Sequence, residues 1–251
     1  MDELQLIQQI YPDIQQNYKD PDFMTERAIL SGINTDVNHL NHLASTYFPG
    51  DSKVYLSADS VINKQQENRY STEFLNKISA SGMPEHRLSL KVHQPIILLR
   101  NIAQKKGLCN GTRLTIKRFH KHIIVAIIST GKMKGNIRIL NFFKFFKLFS
   151  NFNVGKEFLI PKLSLTPSDL DYPFSLRRVQ FPIRSAFAMT INKSQGATLK
   201  KVGIFLNSPV FSHGQLYVAM SRVSSLEDII IATDSILEGT TRNVVYKEVF
   251  T

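Results

Sequence analysis

Two segments near the C-terminal end carry side-chain types that handle phosphate groups. The first, residues 190–200, places hydroxyl, amide and cationic side chains directly after the apolar run 186–189. This order predicts that a strand ends there and that a helix begins. Unpaired backbone N–H groups and the positive end of the helix dipole converge at a helix start, so the segment is predicted to bind an anion.

The second segment, residues 215–223, has the apolar spacing of a helix. Its apolar residues share one stripe, which is made of Leu216, Ala219, Met220 and Val223. Gln215 and Arg222 are left together on a different face of that helix. A guanidinium group held there could point at a phosphate across a cleft.

The elements that position these segments follow from the apolar periodicity. Leu4, Ile7 and Ile10 lie at helical spacing before a Tyr-Pro pair, which predicts a short entry helix. The apolar run 28–30 predicts a buried strand, and the pattern after it predicts a helix that begins near Thr35. The N-terminal part is therefore expected to contain a strand followed by a helix.

The middle of the chain has a different pattern from the two ends. Short apolar runs at 96–99, 113–118 and 123–128 are separated by turn residues, which predicts a small β-barrel. Beyond Arg184, strands at 202–206 and 228–232 alternate with predicted helices. Such alternation is typical of crossover units on a parallel sheet. The fold class predicted is α/β.

Several stretches in one order carry a family resemblance. They are 26–30, 55–60, 90–92 with 98–101, 107–114, 190–200 and 215–223. Together they resemble the Pif-like group of superfamily 1 DNA helicases, which is related to RecD and includes the helicases of helitron transposons. The resemblance covers most of the chain and implies a RecA-like parallel sheet with helices and an inserted small β-barrel.

The domain organisation is predicted from this resemblance. An entry helix or linker occupies 1–25, the first part of the second RecA-like motor domain 26–111, the inserted barrel 112–184, and the rest of the RecA-like domain 185–251. Within the barrel, 141–153 is a low-complexity run of Phe, Lys and Asn. We interpret it as an insert without a role, in preference to a surface for unpaired bases or a membrane.

The resemblance also implies roles for individual residues. Arg222 is implied to be an arginine finger that reaches the γ-phosphate of ATP bound on another domain. Gln215 and Arg100 are implied to lie at the ATP interface, with the DNA channel as the alternative place for Arg100. The residues implied to bind single-stranded DNA are Thr190, Asn192, Lys193, Ser194, Gln195, Gly196 and Asn110.

Each role has a simpler structural alternative. The 190–196 segment could be a helix N-cap with a solvated lysine, and Arg222 could pair with Glu227 or Asp228. Arg100 could be a cation at a strand end, and Asn110 with Gly111 could form a hairpin turn. Asn34 and Asn41 resemble asparagines of the family, but capping and turn hydrogen bonds explain them almost as well.

Composition limits the kinds of partner. A formal charge of +11 and a pI near 9.7 favour a polyanion. The single cysteine, Cys109, excludes an internal disulfide framework, and no Cys/His group has zinc-ligand spacing. The acidic residues after Met1 do not fit a secretory or mitochondrial signal, and no apolar run reaches the length of a membrane helix.

The phosphate-cradling loop of a helicase motor is not found in this sequence. The Gly-Lys pairs at 131–132 and 155–156 are followed by Met and Glu, which lack the hydroxyl that holds Mg²⁺. No apolar strand runs into paired acids. ATP and Mg²⁺ are therefore expected only in the intact enzyme, with the N-terminal motor domain supplied in cis or in trans, and this chain alone is expected to bind neither.

The function predicted is the C-terminal motor domain of an ATP-dependent 5′ to 3′ DNA helicase. Two alternatives stay open: a stand-alone module that binds single-stranded DNA, and a degenerate transposon-derived fragment without catalysis. The family's work in repair, recombination and telomere maintenance implies a nuclear protein, with the mitochondrion as the second location. No membrane partner is expected.

Overall fold

The computed structural model describes residues 1–63, 69–128, 157–167, 172–233, 240–241 and 243–246. The run 141–153 lies outside these residues. The helices are α1 (Glu3–Ile10), α2 (Ile14–Asn17), α3 (Pro21–Thr25), α4 (Asn34–Tyr47), α5 (Thr72–Lys77) and α6 (Gln215–Met220). The first strands are β1 (Arg27–Ser31), β2 (Ser52–Leu56), β3 (Ala58–Val61), β4 (Arg87–Lys91), β5 (Pro95–Leu98), β6 (Arg113–Phe119) and β7 (Ile123–Ile128). They are followed by β8 (Phe158–Pro161), β9 (Leu163–Leu165), β10 (Leu176–Gln180), β11 (Ile183–Ser185), β12 (Ala188–Thr190), β13 (Lys201–Leu206) and β14 (Ile229–Thr233).

A parallel sheet joins the two ends of the described chain. Its four strands have the order β12-β1-β13-β14, and all three ladders are parallel. Successive side chains of β1 point to opposite faces, so Ile29 enters one apolar core and Ala28 and Leu30 enter another. Helices α1 and α4 cover the first face, while α6 packs on the second. The predicted α/β class with a parallel sheet is confirmed.

Helix α1 is the entry helix that the spacing of Leu4, Ile7 and Ile10 predicts, and it is part of this core. Asp2 caps the helix in a capping box with Gln5. Leu6 and Ile10 are fully buried. They pack so closely on Gly203 of β13 that a Cβ there would lie 2.9 Å from Ile10 Cγ1 and 3.0 Å from Leu6 Cδ1. Apolar burial therefore fixes α1 to the sheet.

The antiparallel strands form three further sheets. The largest has five strands in the order β11-β5-β6-β7-β8, and the others are β3-β10-β9 and β2-β4. Strand β5 pairs with β6 and β11, so the predicted boundary between residues 111 and 112 cuts through one sheet. The antiparallel unit therefore begins before residue 112. The position of this boundary depends on which strands pair by hydrogen bonds, and the apolar periodicity of the sequence does not reveal that pairing.

The side chain of Arg113 joins the largest antiparallel sheet to the parallel one. Arg113 lies on β6, and its guanidinium donates to the carbonyl oxygens of Thr25, Arg27 and Ala186. The hydroxyl of Tyr11 donates to the same Arg27 oxygen. Burial raises the pKa of Tyr11 to about 12, so the hydroxyl stays a donor at neutral pH. The chain thus enters two neighbouring strands of the parallel sheet, β1 and β12, beside one buried cation.

The turn between β4 and β5 contains His93 and Gln94. His93 has φ 69°, which is the left-handed conformation that glycine adopts without strain. The side chain of Gln94 is fully buried and donates to Ser185 Oγ at 2.6 Å. The left-handed turn is therefore present here with a histidine in it.

Candidate functional site

The 190–196 loop follows β12 directly. Thr190 ends the strand, and Ile191–Ser194 then form a single 3-10 turn. Ile191 and Ser194 are buried, and Gly196 has φ 81°, so the chain turns away instead of continuing a helix. The strand ends and a helix begins where the sequence predicts, but the helix is only a four-residue 3-10 turn. The anion-binding argument based on the dipole of a longer helix therefore does not apply here.

The side chains of this loop divide into two groups. Asn192, Lys193 and Gln195 are exposed and can reach a ligand, while Thr190 is half-buried. Ser194 is buried, and its hydroxyl donates to the Ile191 carbonyl at 2.7 Å. Ser194 therefore shapes the loop and does not offer its side chain to a partner.

Gly196 leaves its own backbone open. The residue is exposed, and a Cβ built on it would have nothing within 4 Å. A ligand can therefore approach the main chain closely at this position. The exposed groups that can meet a sugar-phosphate chain are two amides, one ammonium group and the Gly196 backbone.

The guanidinium of Arg222 is bound to the 190–196 loop. Its Nη1 donates to the carbonyl oxygens of Ser194 at 3.3 Å and Ala197 at 3.1 Å. Its Nε donates to the Val218 carbonyl at 2.7 Å, and its Nη2 donates to Ser221 Oγ at 2.8 Å. These hydrogen bonds, and not the alternative of an exposed ion pair with Glu227 or Asp228, hold the Arg222 side chain. Because a guanidinium has five N–H donors, one of the two on Nη2 is left for a ligand.

Helix α6 is shorter than the sequence predicts. It begins at Gln215 and ends at Met220, so Arg222 lies beyond it and does not share a helical face with Gln215. Gln215 is buried, and its Oε1 accepts from the Phe211 backbone at 3.1 Å. Its Nε2 is buried without a hydrogen-bond partner and faces Gly32, just after β1. This amide is an unused donor at the carboxyl end of a parallel strand.

Arg100 and Asn110 lie on the antiparallel part of the chain, away from α6 in the topology. Arg100 follows β5, and its Nη2 donates to the Thr166 carbonyl at 3.4 Å. The Asn110 backbone donates to Asn101 Oδ1 at 2.7 Å, and Gly111 has φ 88°. These contacts fit a strand-end cation and a turn. The structure does not bring Arg100 together with Gln215.

Asn41 has a structural part in holding the site together. Its Oδ1 accepts from the Ala188 N–H, and its Nδ2 donates to the Ala188 carbonyl, both at 2.9 Å. This pair of bonds ties α4 to β12 directly before the 190–196 loop. Asn34 opens α4 without being its cap residue, which is Ile33. The hydrogen bonds of Asn41 therefore support a structural role for this residue.

A second cation, Arg184, lies close to Lys193. Although Lys193 is exposed by its accessible surface, the protein around its ammonium group removes part of the surrounding water, and this desolvation is the main cause that lowers its pKa. The positive charge of Arg184 lowers the pKa further. Burial lowers the pKa of Arg184 as well, and Glu85 opposes this shift. Sequence reasoning assigned Arg184 no role, because its nearness to Lys193 depends on how β11 pairs beside β5.

The part of the chain that the structure describes contains no group of three or more His, Cys, Asp and Glu side chains that could hold a metal ion. In the same residues, no helix is both long and apolar enough to cross a membrane.

Comparisons with known proteins agree with this architecture. The family model described as "DNA helicase Pif1, 2B domain" matches residues 73–119, and a herpes helicase model described as "Helicase" matches residues 175–247. The rat ATP-dependent DNA helicase PIF1 is 31% identical over 194 residues, which is 77% of this chain and 25% of the relative. This chain thus spans about a quarter of that relative's length.

Two solved structures share the fold. The crystal structure of the Pif1 helicase from Candida albicans gives a TM-score of 0.60 at 21% identity, covering 99% of this chain and 56% of that one. The Bacteroides Pif1 helicase in complex with ADP-AlF3 and ssDNA gives 0.56 at 20% identity, covering 99% and 52%. This chain corresponds to about half of each solved relative.

Proposed function

Because this chain belongs to the Pif1-like group of superfamily 1 DNA helicases, we propose that it is the second motor domain of an ATP-dependent 5′ to 3′ DNA helicase. The exposed side chains of the 190–196 loop grip the backbone of single-stranded DNA. Arg222 serves ATP that is held by the other motor domain. Gln215 contributes its unused amide N–H at the same interface.

One observation carries this proposal. The guanidinium of Arg222 donates to the backbone carbonyls of Ser194 and Ala197, so the cation proposed for the γ-phosphate is bound to the loop proposed for DNA. If charge developing on the phosphate draws Arg222 outward, these two bonds weaken and the loop is released. A charge-assisted hydrogen bond that is stronger in one state of a reaction than in another favours the loop position that goes with that state.

The relatives support the choice of ligands. The Bacteroides structure contains both ADP-AlF3 and single-stranded DNA. Mg²⁺ is assigned to the other motor domain, because this sequence has no Gly-Lys-Ser or Gly-Lys-Thr loop whose hydroxyl would hold the ion. The roles of this chain are to bind the strand, to orient Arg222 and to add positive charge at the interface.

We expect that the 251-residue chain alone hydrolyses no ATP, with or without single-stranded DNA. The sequence provides no Gly-Lys-Ser or Gly-Lys-Thr loop to hold the β- and γ-phosphates. Steady-state phosphate release tests this, with Arg222→Ala as the control for trace contaminating ATPases. Turnover that disappears in the Arg222→Ala protein would contradict the proposal.

A stand-alone DNA-binding module is the second candidate. The exposed side chains of Asn192, Lys193 and Gln195 need no partner domain to meet a strand, which favours it. A chain that binds oligonucleotides, yet restores no hydrolysis when joined to a first motor domain, would be such a module. A chain that does neither would be a degenerate fragment. Work in nuclear or mitochondrial repair, recombination and telomere maintenance is proposed by family alone.

A further inference from the structure

The last described segment of the chain returns to the start of helix α6. Residues 243–246 follow β14 in the sequence, and Val244 packs against the core cluster that contains Val210 and Ala219. The Val244 carbonyl accepts at 3.3 Å from the N–H of Gly214, which is the residue directly before α6. We name residues 243–246 the C-terminal strap.

The ring of His213 joins the C-terminal strap to the turn before α6. The rings of His213 and Tyr246 are stacked, with centroids 4.8 Å apart and planes 12° from parallel. The Tyr246 backbone N–H also donates to His213 Nδ1 at 2.9 Å. Because Nδ1 accepts this hydrogen bond, the imidazole is neutral and carries its proton on Nε2. One histidine therefore holds the strap both by its ring face and by a ring nitrogen.

This contact lies beside the turn that carries Gln215. In the 211–215 turn, the Gln215 N–H donates to the Ser212 carbonyl at 3.2 Å, and Gln215 Oε1 accepts from the Phe211 N–H at 3.1 Å. The side chain is thus bonded into its own turn, and its direction depends on the shape of that turn. Its Nε2 faces Gly32 and has no hydrogen-bond partner among the described residues.

The outer side of the 211–215 turn is open. Phe211 is 62% exposed, and a Cβ built on Gly214 would meet no described residue within 4 Å. Gly214 has φ 69°, and a glycine has more backbone conformations open to it than any other residue. The C-terminal strap contacts the turn at His213 and Gly214. It therefore restricts the turn where its backbone is least constrained.

The free donor of Gln215 gives this restriction a use. In an unrestricted turn Gln215 could rotate until Nε2 met water or a carbonyl, because a buried donor without a partner is unfavourable. A restricted turn keeps the donor available and aimed. An acceptor that binds there gains the hydrogen bond without first reordering the protein.

We propose that His213 and Tyr246 are positioning residues, which hold the C-terminal strap on the 211–215 turn and so aim the Gln215 amide at ATP held by the other motor domain. This inference rests on the proposed function, since it explains how the donor of Gln215 is kept available. A neutral amide that is aimed in advance binds ATP and the transition state alike, so its loss raises KM for ATP and leaves kcat nearly unchanged.

The contact is tested first in the whole chain, by hydrogen exchange of the Tyr246 and Gly214 amides followed by NMR. Exchange is expected to be about tenfold faster in His213→Ala than in the unaltered chain. His213→Phe keeps a ring for stacking but has no acceptor, so it should give an intermediate rate. His122→Ala removes an exposed histidine between β6 and β7 and is the matched control. Exchange in His213→Ala equal to that in the control would overturn the proposal.

The effect on ATP is tested in a chimera in which this chain replaces the aligned region of the rat helicase. His213→Ala and Tyr246→Ala are each expected to raise KM for ATP about fivefold, with kcat within about twofold of the unaltered chimera. Both side chains are exposed, so their removal should leave the fold intact, which circular dichroism checks.

A double substitution tests whether the effect passes through Gln215. In a Gln215→Ala chimera KM is already raised, and adding His213→Ala should change KM by less than about twofold, because both substitutions remove one contact with ATP. A strap that only stabilised the fold would raise KM by the same factor with and without the Gln215 side chain. That result would overturn the positioning role.

The outcomes separate this inference from the proposed function. An unaltered chimera that hydrolyses no ATP would overturn the proposed function, and the positioning role with it. If the unaltered chimera hydrolyses ATP and both strap variants have the same KM as His122→Ala, only the positioning role is overturned. A fall in kcat at unchanged KM would also overturn it, because the Gln215 amide is proposed to bind ATP in the ground state.

Discussion

Replacing Arg222 with Ala is expected to reduce kcat for ATP about 10³- to 10⁵-fold in a chimera in which this chain replaces the aligned region of the rat helicase. A guanidinium beside the transferred phosphoryl group stabilises charge that develops on its oxygens, and Ala removes that stabilisation. The readout is steady-state phosphate release at saturating single-stranded DNA. KM for ATP is expected to change far less than kcat, because the interaction strengthens in the transition state.

Arg222→Lys is the matched control for this prediction. Lysine keeps the positive charge but cannot replace the fork that bonds Ser194 and Ala197, so intermediate activity is expected. Because either substitution also releases the 190–196 loop, DNA affinity is measured separately and DNA is kept saturating. A kcat for Arg222→Ala within about tenfold of the unaltered chimera would contradict the role of Arg222 in hydrolysis.

Replacing Arg178 with Met is expected to lower the free energy of unfolding by about 3–5 kcal/mol. Arg178 is 1% exposed, and its guanidinium donates to both carboxylate oxygens of Asp59. Its remaining bonds go to backbone carbonyls, namely those of Leu75, Asn76, Ile78 and Pro84. Met would leave a fully buried carboxylate without its cation and these carbonyls without a donor.

The neighbouring Arg177 provides the control for this substitution. Arg177 is exposed on the same strand and its Nε donates to Ser164 Oγ, so Arg177→Met should cost less than about 1 kcal/mol. Urea unfolding followed by circular dichroism measures both variants. A loss for Arg178→Met equal to that for Arg177→Met would show that the buried pair does not stabilise the sheet formed by β3, β10 and β9.

Apolar periodicity was sufficient to predict most strands of the parallel sheet. Strand β1 contains the predicted run 28–30, and β13 and β14 lie within one residue of their predicted ranges at each end. Strands β1 and β13 are buried on both faces and contain continuous apolar runs, while β14 lies at the sheet edge and is apolar but mostly only half-buried. Helix α1 was also predicted, but its burial was not, since that depends on the absence of a side chain at Gly203.

The local shape of the site could not be read from residue types. Residues 190–200 have the composition of a strand end and a helix start, yet a left-handed Gly196 ends the turn early. The contact between Arg222 and the carbonyl of Ser194 joins segments far apart in the sequence. Arg184 was missed for the same reason, because strand pairing brings it near Lys193.

The two segments singled out from the sequence do meet in space, although not by the geometry that was predicted. The sequence places Gln215 and Arg222 on one helical face. In the structure the helix ends at Met220, and Arg222 turns back onto the 190–196 loop. Hydrogen bonds from a side chain to a distant backbone are set by tertiary structure, so spacing within a helix does not reveal them.

Coupling between nucleotide and DNA through Arg222 is tested most directly by the DNA affinity of the chimera with and without ADP and aluminium fluoride. In the unaltered chimera we expect the nucleotide analogue to change the affinity for single-stranded DNA by about 5- to 150-fold. In the Arg222→Ala chimera the affinity should be the same with and without the analogue. An equal nucleotide-dependent change in both proteins would contradict the proposal that Arg222 connects the two ligands.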